Sequence, residues 1–416
     1  MVSFAAFIGI DWSDSKHVCC IVDASSGCKE FFLLKHSPEA IDRWATSLNS
    51  RFSGQKIALC LEQSRGPLIF ALLKYDSFAL YPINPSTLAN YREAFCPGRA
   101  KDDPSDAQSL AELLIHHRDG LRAWLPDDAK TRTPQYLVGR RRRLVADRTR
   151  ISNRLTALLK GYFPQVLGWF PDPRTLLVCD SLTRWPALQV VKKAKRPASE
   201  KFFRGHNSSR KEVISSRIDS IKGGMALTTD RAVIDSSRLM AQALAAQMKA
   251  TLEAIKGFDQ QIGTLCQAHQ DYEILVSLPG AGPVYAPRLL AALGSNRERF
   301  TSGEGLARLS GIAAVIERSG KKVWVRWRYF CPKFIRQSFH EYAGESIRHP
   351  FRAKAYYDSR RAKWNSHAAA VRALAYKWIR IIRGCWKEKV VYNEATCLES
   401  LRKRNSPLLK CAATNP

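Results

Sequence analysis

Short apolar runs separated by polar turns make up the beginning of the chain. Strand patterns occupy residues 4–12, 17–23, 29–35, 56–63 and 78–85. Helix patterns begin at Ser37 and at Gly66 and lie between the last three of these strands. The sequence therefore predicts a mixed α/β domain over residues 1–125.

The order of these elements is specific. Three strands come first as a meander, and helix and strand then alternate. This is the order of the ribonuclease-H-like fold, in which the first strand is central to the sheet. We therefore predict that fold class for the first domain.

Downstream, the pattern changes to long helices. Apolar residues recur every seven positions in two series, which are Leu137, Leu144, Ile151 and Leu158, and then Ile234, Ala241, Met248, Ile255 and Ile262. Such series are typical of two arms of a helical hairpin or of an intermolecular coiled coil. We predict a helical coiled-coil region over 126–271, interrupted by a polar, basic linker at about 170–230 that forms loops or orders on binding.

The last part of the chain has compact patterns again. The stretch LVSLPGAGPVYAPRLLAALG at 275–294 has the form of a helix-hairpin-helix motif, whose glycine turn could bind a phosphate or simply connect two helices. VIERSGKKVWVRW at 315–327 predicts a β-hairpin that turns at Ser319 and Gly320. We expect a mainly helical domain over 272–390 and a tail over 391–416, which makes the whole chain α/β plus α.

The charge is unevenly distributed. Residues 1–110 carry 11 Lys and Arg against 12 Asp and Glu, which is a net charge of −1. Since the whole chain has a net charge of +29, residues 111–416 carry +30. A surplus of this size predicts a polyanionic partner, and nucleic acid fits it best because phosphate contacts dominate its binding. The start of the chain does not resemble a signal peptide, no run approaches the roughly 20 apolar residues of a membrane span, and the 11 cysteines contain no CxxC pair. We therefore expect a cytoplasmic protein without a membrane partner, a disulfide framework or a zinc site.

Four carboxylates in the near-neutral part are candidates for a metal site. Asp11 and Glu62 each end a strand pattern, and Asp103 and Asp106 lie three residues apart at a helix start. Two Mg²⁺ ions held by such a cluster would serve phosphodiester chemistry. The alternative interpretation is structural: Asp103 caps the helix, Pro104 follows, and Asp106 faces the positive end of the helix dipole.

Basic and aromatic residues alternate near the end of the chain. Residues 319–383 contain 16 Lys and Arg, 3 acidic residues and 13 aromatic residues, a mixture that predicts a nucleic-acid surface. The candidate contacts are Arg140, Arg141, Arg142, Arg143, Lys321, Lys322, Arg326, Arg328, Lys333 and Arg336. Ser319 by itself is typical of a turn residue, since Ser-Gly is common in turns and no histidine lies beside it in the sequence to act as a base.

Taken together, six motifs resemble a known family. They are FIGIDWSDSKH, CLEQSRG, AKDDPSDAQSLAE, RRRRLVADRTRISNRL, LVSLPGAGPVYAPRLLAALG and ERSGKK followed by CPKFIRQSFHEYA. In this order they resemble the DEDD-plus-serine transposases of the IS110 insertion-sequence family, also called bridge recombinases. The resemblance implies a RuvC-like domain, a coiled coil and a serine-bearing transposase domain.

The resemblance also implies site residues and partners. Asp11, Glu62, Asp103 and Asp106 would bind Mg²⁺, with Asp102 the alternative to Asp103, and Ser319 would be the nucleophile. The partners would be double-stranded DNA and a structured noncoding guide RNA encoded by the element. The protein would be a dimer or tetramer in a bacterial or archaeal cytoplasm, associated with the nucleoid.

We therefore expect an enzyme that excises and inserts its own insertion sequence by cutting and rejoining DNA through a serine-linked intermediate. Two alternatives remain open at this stage. One is a RuvC-like nuclease that uses water, and the other is a nonenzymatic nucleic-acid binding protein whose carboxylates only cap helices and turns.

Overall fold

The chain divides into two compact units. The computed structural model describes residues 3–62, 66–95, 102–206, 210–349, 351–363 and 366–405. The first unit is Met1–Pro126 and the second is Asp127–Pro416. A mixed α/β sheet domain is thus followed by a largely helical remainder. Within the described ranges, no helix combines the length and the apolar composition that a bilayer crossing requires.

The first unit contains five strands and four helices. In chain order they are β1 (Ala6–Asp11), β2 (Lys16–Asp23), β3 (Lys29–Lys35), α1 (Pro38–Arg51), β4 (Ile57–Leu61), α2 (Pro67–Leu72), β5 (Phe78–Pro82), α3 (Pro85–Phe95) and α4 (Asp103–His117). The predicted strands and helices of this part are confirmed. Residues 63–65 and 96–101, which belong to two of the quoted motifs, lie outside the described residues.

The sheet has the order β3-β2-β1-β4-β5, so the first strand is central. β1 pairs antiparallel with β2 and parallel with β4. Successive residues of a strand point to opposite faces. Ile8 and Ile10 therefore face α1 and α2, with which they share a core, whereas Gly9 faces α4.

α4 packs directly on the backbone of β1. A Cβ atom at Gly9 would lie 1.9 Å from the carbonyl oxygen of Ala107 and 2.5 Å from the amide nitrogen of Ala111. No side chain fits between the two backbones. Arg118, just after α4, lies 5.4 Å from the ring of Phe4, which precedes β1. α4 therefore runs antiparallel to β1 and begins at the end of the sheet where Asp11 lies.

The start of α4 differs by one residue from the sequence-based expectation. Asp102, and not Asp103, is the N-cap: its carboxylate accepts a hydrogen bond from the Ser105 amide at 2.9 Å, and the two residues form a capping box. Asp103 is the first helical residue and Pro104 the second. The hydrogen bonds from Ser105 lower the pKa of Asp102. The cap moves because proline is accepted at either of the first two helical positions, so Pro104 does not fix the start.

The second unit contains fourteen described helices and one β-hairpin. In chain order they are α5 (Ala129–Tyr162), α6 (Gln165–Trp169), α7 (Leu176–Arg184), α8 (Leu188–Lys192), α9 (Arg196–Gly205), α10 (Lys211–Gly223), α11 (Arg231–Gln267), α12 (Tyr272–Val276), α13 (Gly282–Leu293), α14 (Gly303–Leu309), β6 (Val315–Ser319), β7 (Lys322–Arg326), α15 (Lys333–Ser346), α16 (Phe351–Arg361), α17 (His367–Glu388) and α18 (Glu394–Lys403).

The two predicted heptad series lie on α5 and α11, which pack along each other within the chain. Ile151 and Ile255, one from each series, are buried. Across the pair, Arg141 Nη2 donates to Asp259 at 3.1 Å. Of the two arrangements that the sequence left open, the structure therefore favours the helical hairpin.

The prediction of a loop-forming linker at 170–230 is wrong for the described residues there. The segment contains α7 to α10 and shares a core with the two long helices. Val178, Leu182, Phe203 and Ile218 are fully or almost fully buried in it. The helical spacing of apolar residues is hard to recognise in this basic segment, because each helix is short and contributes only a few apolar residues to the core.

The last part of the chain forms a separate helical core. The predicted helix-hairpin-helix corresponds to α12 and α13, joined by a turn in which Gly280 has φ of +74°. Trp378 and Trp386 of α17 are among the largest fully or almost fully buried side chains of this core. The predicted hairpin is present as β6 and β7, with Ser319 opposite Lys322.

We predict that Gly9→Ala destabilises the first unit. The added methyl group would overlap the α4 backbone, and overpacking of this kind costs roughly 1–3 kcal/mol or more in unfolding free energy. Chemical denaturation would measure the loss. The matched control is Gly161→Ala in α5, where the new Cβ meets nothing within 4 Å. The control should be neutral or slightly stabilising, and equal stability of the two variants would refute the packing argument.

We also predict different outcomes for the two neighbouring aspartates. Asp102→Ala removes the cap of α4 and should lower the midpoint of thermal unfolding by a few degrees. Asp103→Ala should leave the midpoint unchanged, because its side chain is exposed and does not cap the helix. A lower midpoint of thermal unfolding for Asp103→Ala alone would show that Asp103, and not Asp102, caps the helix.

Candidate active site

Asp11 and Glu62 lie at the carboxyl ends of neighbouring strands. Asp11 is the last residue of β1, and Glu62 directly follows β4. The strands are parallel, and Ile10 pairs with Leu61, one position before the two acids. Neighbouring strands are about 4.8 Å apart, so these two residues are adjacent at one edge of the sheet. Both are partly buried.

Both acids belong to the face of the sheet that α4 covers. Asp11 alternates with Gly9 on β1, and Glu62 alternates with Cys60 on β4, which packs against Leu110 and its neighbours on α4. Burial, and then the negative charge of Glu62, raise the pKa of Cys60 to about 12. The Glu62 carboxylate is thus close enough to the thiol to influence it.

Asp106 reaches the same region from the helix. It is 5% exposed and precedes Ala107, the residue that contacts Gly9. Arg92 of α3 donates to its carboxylate at 2.5 Å. Three of the four predicted carboxylates therefore come from two strand ends and the first turns of one helix, at the same end of the same face.

Asp103 lies one helical turn before Asp106 and is exposed. In the described part of the chain, no three His, Cys, Asp or Glu side chains form a group that could hold one metal ion together. The oxygen donors still suit Mg²⁺, which commonly takes one or two protein carboxylates and completes its shell with water and substrate phosphate. Asp11 and Glu62 fit that requirement.

A cavity of about 570 Å³ in the first unit is lined by residues of β5 and of 118–126, among them Tyr81 and Trp124. None of the four predicted carboxylates lines this cavity. Of the four, Asp103 is exposed, Asp11 and Glu62 are partly buried and Asp106 is buried.

Ser319 lies at the end of β6, beside a two-residue turn of Gly320 and Lys321. Gly320 has φ of +56°, which a two-residue hairpin turn requires and glycine adopts readily. Ser319 is exposed, and Lys322 is directly opposite it. No described histidine or carboxylate forms a hydrogen bond with its hydroxyl group. The residue that pairs with this serine is therefore a cation.

Both faces of this hairpin are open to solvent. Ile316, Val323 and Val325 share one face and are more than half exposed. Ser319, Lys322 and Trp324 share the other face. A two-stranded hairpin is marginally stable alone, so this one is suited to being covered by a partner.

Some of the cations predicted to contact nucleic acid are exposed to solvent, and some form contacts within the protein. The exposed residues are Arg140, Arg143, Lys321, Lys322, Arg326 and Lys333. Arg326 forms an ion pair with Glu317 at 2.8 Å, and Arg328 donates to the Ala313 carbonyl at 3.3 Å. Arg141 pairs with Asp259, and Arg142 lies 5.8 Å from the ring of Phe334. The arginine run 140–143 thus serves the packing of α5 as well as its surface.

Two features of the site have no signal in the sequence. Arg92 lies 14 residues from Asp106 and outside all the quoted motifs. Arg372 lies over Trp327, 45 residues earlier in the chain. Only the fold brings the members of these pairs together.

Two families of known proteins match two separate parts of the chain. Residues 8–164, which include the four carboxylates, match the DEDD transposase family of IS110. Residues 272–358, which include Ser319, match the family described as "Transposase IS116/IS110/IS902 family".

Relatives match over almost the whole chain. The "Mini-circle putative transposase for IS117" of Streptomyces coelicolor is 27% identical over 99% of this chain and 99% of its own length. A 42 kDa protein of insertion element IS900 from Mycobacterium paratuberculosis is 23% identical over 93% of this chain and 97% of its own. A 44.8 kDa protein of IS116 from Streptomyces clavuligerus is 24% identical over 94% and 96%.

The two family matches together cover more than half of the chain, and they contain every site residue that the sequence predicts. The chain belongs to the IS110/IS116/IS902 family of transposases and is an enzyme of DNA transposition.

Proposed function

We propose that this transposase excises and inserts its own insertion sequence by cutting and rejoining DNA through a covalent bond to Ser319. The observation that carries the proposal is the placement of Asp11 and Glu62 on adjacent strand ends beneath the start of α4. The first unit is then a ribonuclease-H-like, RuvC-like catalytic domain. Its central first strand and its mixed parallel and antiparallel pairing support that assignment.

Asp11, Glu62, Asp103 and Asp106 would hold Mg²⁺, two ions in the full site. Asp103 is preferred over Asp102 because the Asp102 carboxylate already caps α4. When bound, Mg²⁺ lowers the pKa of an attacking hydroxyl group and stabilises charge on a leaving oxygen. Arg92 forms an ion pair with Asp106, so that this buried carboxylate is not left unpaired.

Ser319 would attack the scissile phosphate. Its hydroxyl proton passes to water as Oγ forms a bond to phosphorus, the bond from phosphorus to one deoxyribose oxygen breaks, and that oxygen takes up a proton from water. One phosphodiester replaces another, so rejoining needs no ATP. Lys322, opposite Ser319, would steady the negative charge on the phosphate.

Nucleic acid would contact the exposed cations among the predicted contacts, which are Arg140, Arg143, Lys321, Lys322, Arg326 and Lys333. Double-stranded DNA at the element ends and at the target is the substrate, and an element-encoded structured RNA is the guide. The charge of +30 on residues 111–416 supports binding of both. The protein would act in the cytoplasm, at the nucleoid, as a dimer or tetramer.

A second candidate function is hydrolysis of DNA by water at the carboxylates, with Ser319 structural. The exposure of Ser319 and the lack of a described base beside it favour this alternative. A covalent protein–DNA adduct separates the two functions.

We predict that wild-type protein with Mg²⁺ and DNA of an element end forms an adduct that survives denaturant. Ser319→Ala should abolish both the adduct and recombination, because the attacking oxygen is gone. Asp11→Asn, Glu62→Gln or removal of Mg²⁺ by a chelator should abolish the adduct while DNA binding persists. Denaturing gel electrophoresis of labelled DNA measures all of these.

The control is Ser216→Ala, which changes an exposed serine of α10 and should form the adduct at the wild-type level. An adduct that persists in Ser319→Ala would make Ser319 a turn residue. Cleavage without any adduct in the wild type would support the hydrolytic nuclease.

We further predict that subunits share the active site, since the hairpin that carries Ser319 is open on both faces. Ser319→Ala protein and Asp11→Asn protein are each inactive. Mixed, they should regain part of the adduct, because the serine of one subunit can meet the carboxylates of another. Mixing wild-type and Ser216→Ala proteins gives the upper limit of recovery, and no recovery would place each site within one subunit.

A further inference from the structure

Two arginines meet over one tryptophan at the base of the hairpin. Trp327 directly follows β7. The guanidinium carbon of Arg372, on α17, lies 3.4 Å from the centre of its ring, and that of Arg336, on α15, lies 4.9 Å away. Three segments that are distant in sequence thus converge. Trp327 and Arg372 lie within the basic and aromatic segment 319–383, but neither is among the ten individually named candidate contacts.

These cations have no acidic partner. In the described ranges, neither Arg336 nor Arg372 forms an ion pair, and the Nε atom of each is buried without a hydrogen-bond partner. Arg336 Nη2 donates only to backbone carbonyls, at 3.2 Å in the case of Tyr329. Burial, and then the charge of Arg336, lower the pKa of Arg372.

The backbone is shaped to hold Arg336 in this place. Gly311 has φ of +69°, and a Cβ there would lie 2.4 Å from Cys331 Sγ and 2.9 Å from Arg336 Nε. The Arg328 side chain, next to Trp327 in sequence, donates to the Ala313 carbonyl, and the Arg328 carbonyl accepts a hydrogen bond from Arg336. The ring and these contacts therefore limit the positions that the arginines can adopt.

The Trp327 ring and the backbone carbonyls compensate only part of the hydration that these half-buried cations lose. In the described ranges no carboxylate balances their charge, and an anion would. The donors left for a ligand are the Nη atoms of Arg372 and Nη1 of Arg336, because the Nε atoms are buried and Arg336 Nη2 already donates to two carbonyls. Guanidinium groups bind phosphate oxygens in pairs, which makes phosphate the anion of choice.

The surroundings indicate a polymer and not a small anion. Tyr329 and Phe330, adjacent in sequence, are 76% and 75% exposed. Exposed rings beside a basic site are suited to stacking on bases. Trp327 follows Arg326, which pairs with Val315 at the base of the hairpin. Ser319, at the tip, is four residues from Val315 along β6, so the tip and the base are about 13 Å apart at about 3.3 Å per residue.

We propose that Arg336 and Arg372, held over Trp327, bind a backbone phosphate of nucleic acid at a position separate from the phosphate that Ser319 attacks. The inference rests on the proposed function for the type of ligand. In this proposal, the two arginines hold the nucleic-acid strand at the base of the hairpin while Ser319, at its tip, contacts the scissile phosphate. The site thereby positions the strand and does not react with it.

The experiment uses the full chain with Arg372→Gln, Arg372→Lys and the control Arg380→Gln. Arg380 is exposed on the same helix, about 12 Å further along at 1.5 Å per residue. The probes are a duplex DNA and a single-stranded RNA of about 30 nucleotides. Fluorescence anisotropy gives the association constant of each at several salt concentrations.

Arg372→Gln should weaken binding of at least one probe about tenfold and reduce its log–log salt slope by about 0.9 on duplex DNA or about 0.7 on single strands. Arg372→Lys should keep most of the slope, since the charge remains. Arg380→Gln should match the wild type. A loss with DNA alone, RNA alone or both supports the site and identifies the strand that it holds.

An unchanged slope for Arg372→Gln with both probes would overturn the proposal, as would an equal loss for Arg380→Gln. A lower melting temperature with an unchanged slope would make Arg372 a packing residue only. Ser319→Ala protein should keep the full slope in the same assay. If the wild type forms no adduct while Arg372→Gln still loses slope, the serine mechanism fails and the phosphate site stands.

Discussion

The contact of α4 with the backbone of β1 is the constraint on which the catalytic unit depends. Because Gly9 has no side chain, the helix and the central strand touch backbone to backbone. This close approach brings Asp106 to the sheet end where Asp11 and Glu62 lie. A larger residue at position 9 would push α4 away from β1 and separate Asp106 from Asp11 and Glu62. The close packing of α4 and the proximity of these carboxylates therefore both depend on Gly9.

The second unit faces a different problem, which is how to fold with a large excess of positive charge. Part of the answer is that some cations serve the fold: Arg141 pairs across the two long helices, and Arg142 lies near an aromatic ring. Among the described residues, the two arginines over Trp327 have that ring as a partner but no carboxylate. A polyanion bound there would supply the counterion.

Most of the fold could be predicted from local patterns. The strands of the first unit, the long helices and the hairpin with Ser319 at its turn all follow from periodicity and turn residues that act over a few positions. The segment 170–230 was mispredicted because its apolar residues are spread over short helices, and only their combination with α5 and α11 makes a core. The cap of α4 shifted to Asp102 because the sequence allows Pro104 at either of two helical positions.

The sequence by itself determined the class of each domain, the basic character of the second part and the identities of the candidate acids and serine. These depend on residue type and short-range spacing. Only the tertiary structure decided that Arg92 pairs with Asp106, that α4 meets Gly9 without an intervening side chain, and that Arg372 lies over Trp327. Such contacts join residues far apart in the chain, and their geometry arises from the packing of whole elements, which local spacing does not encode.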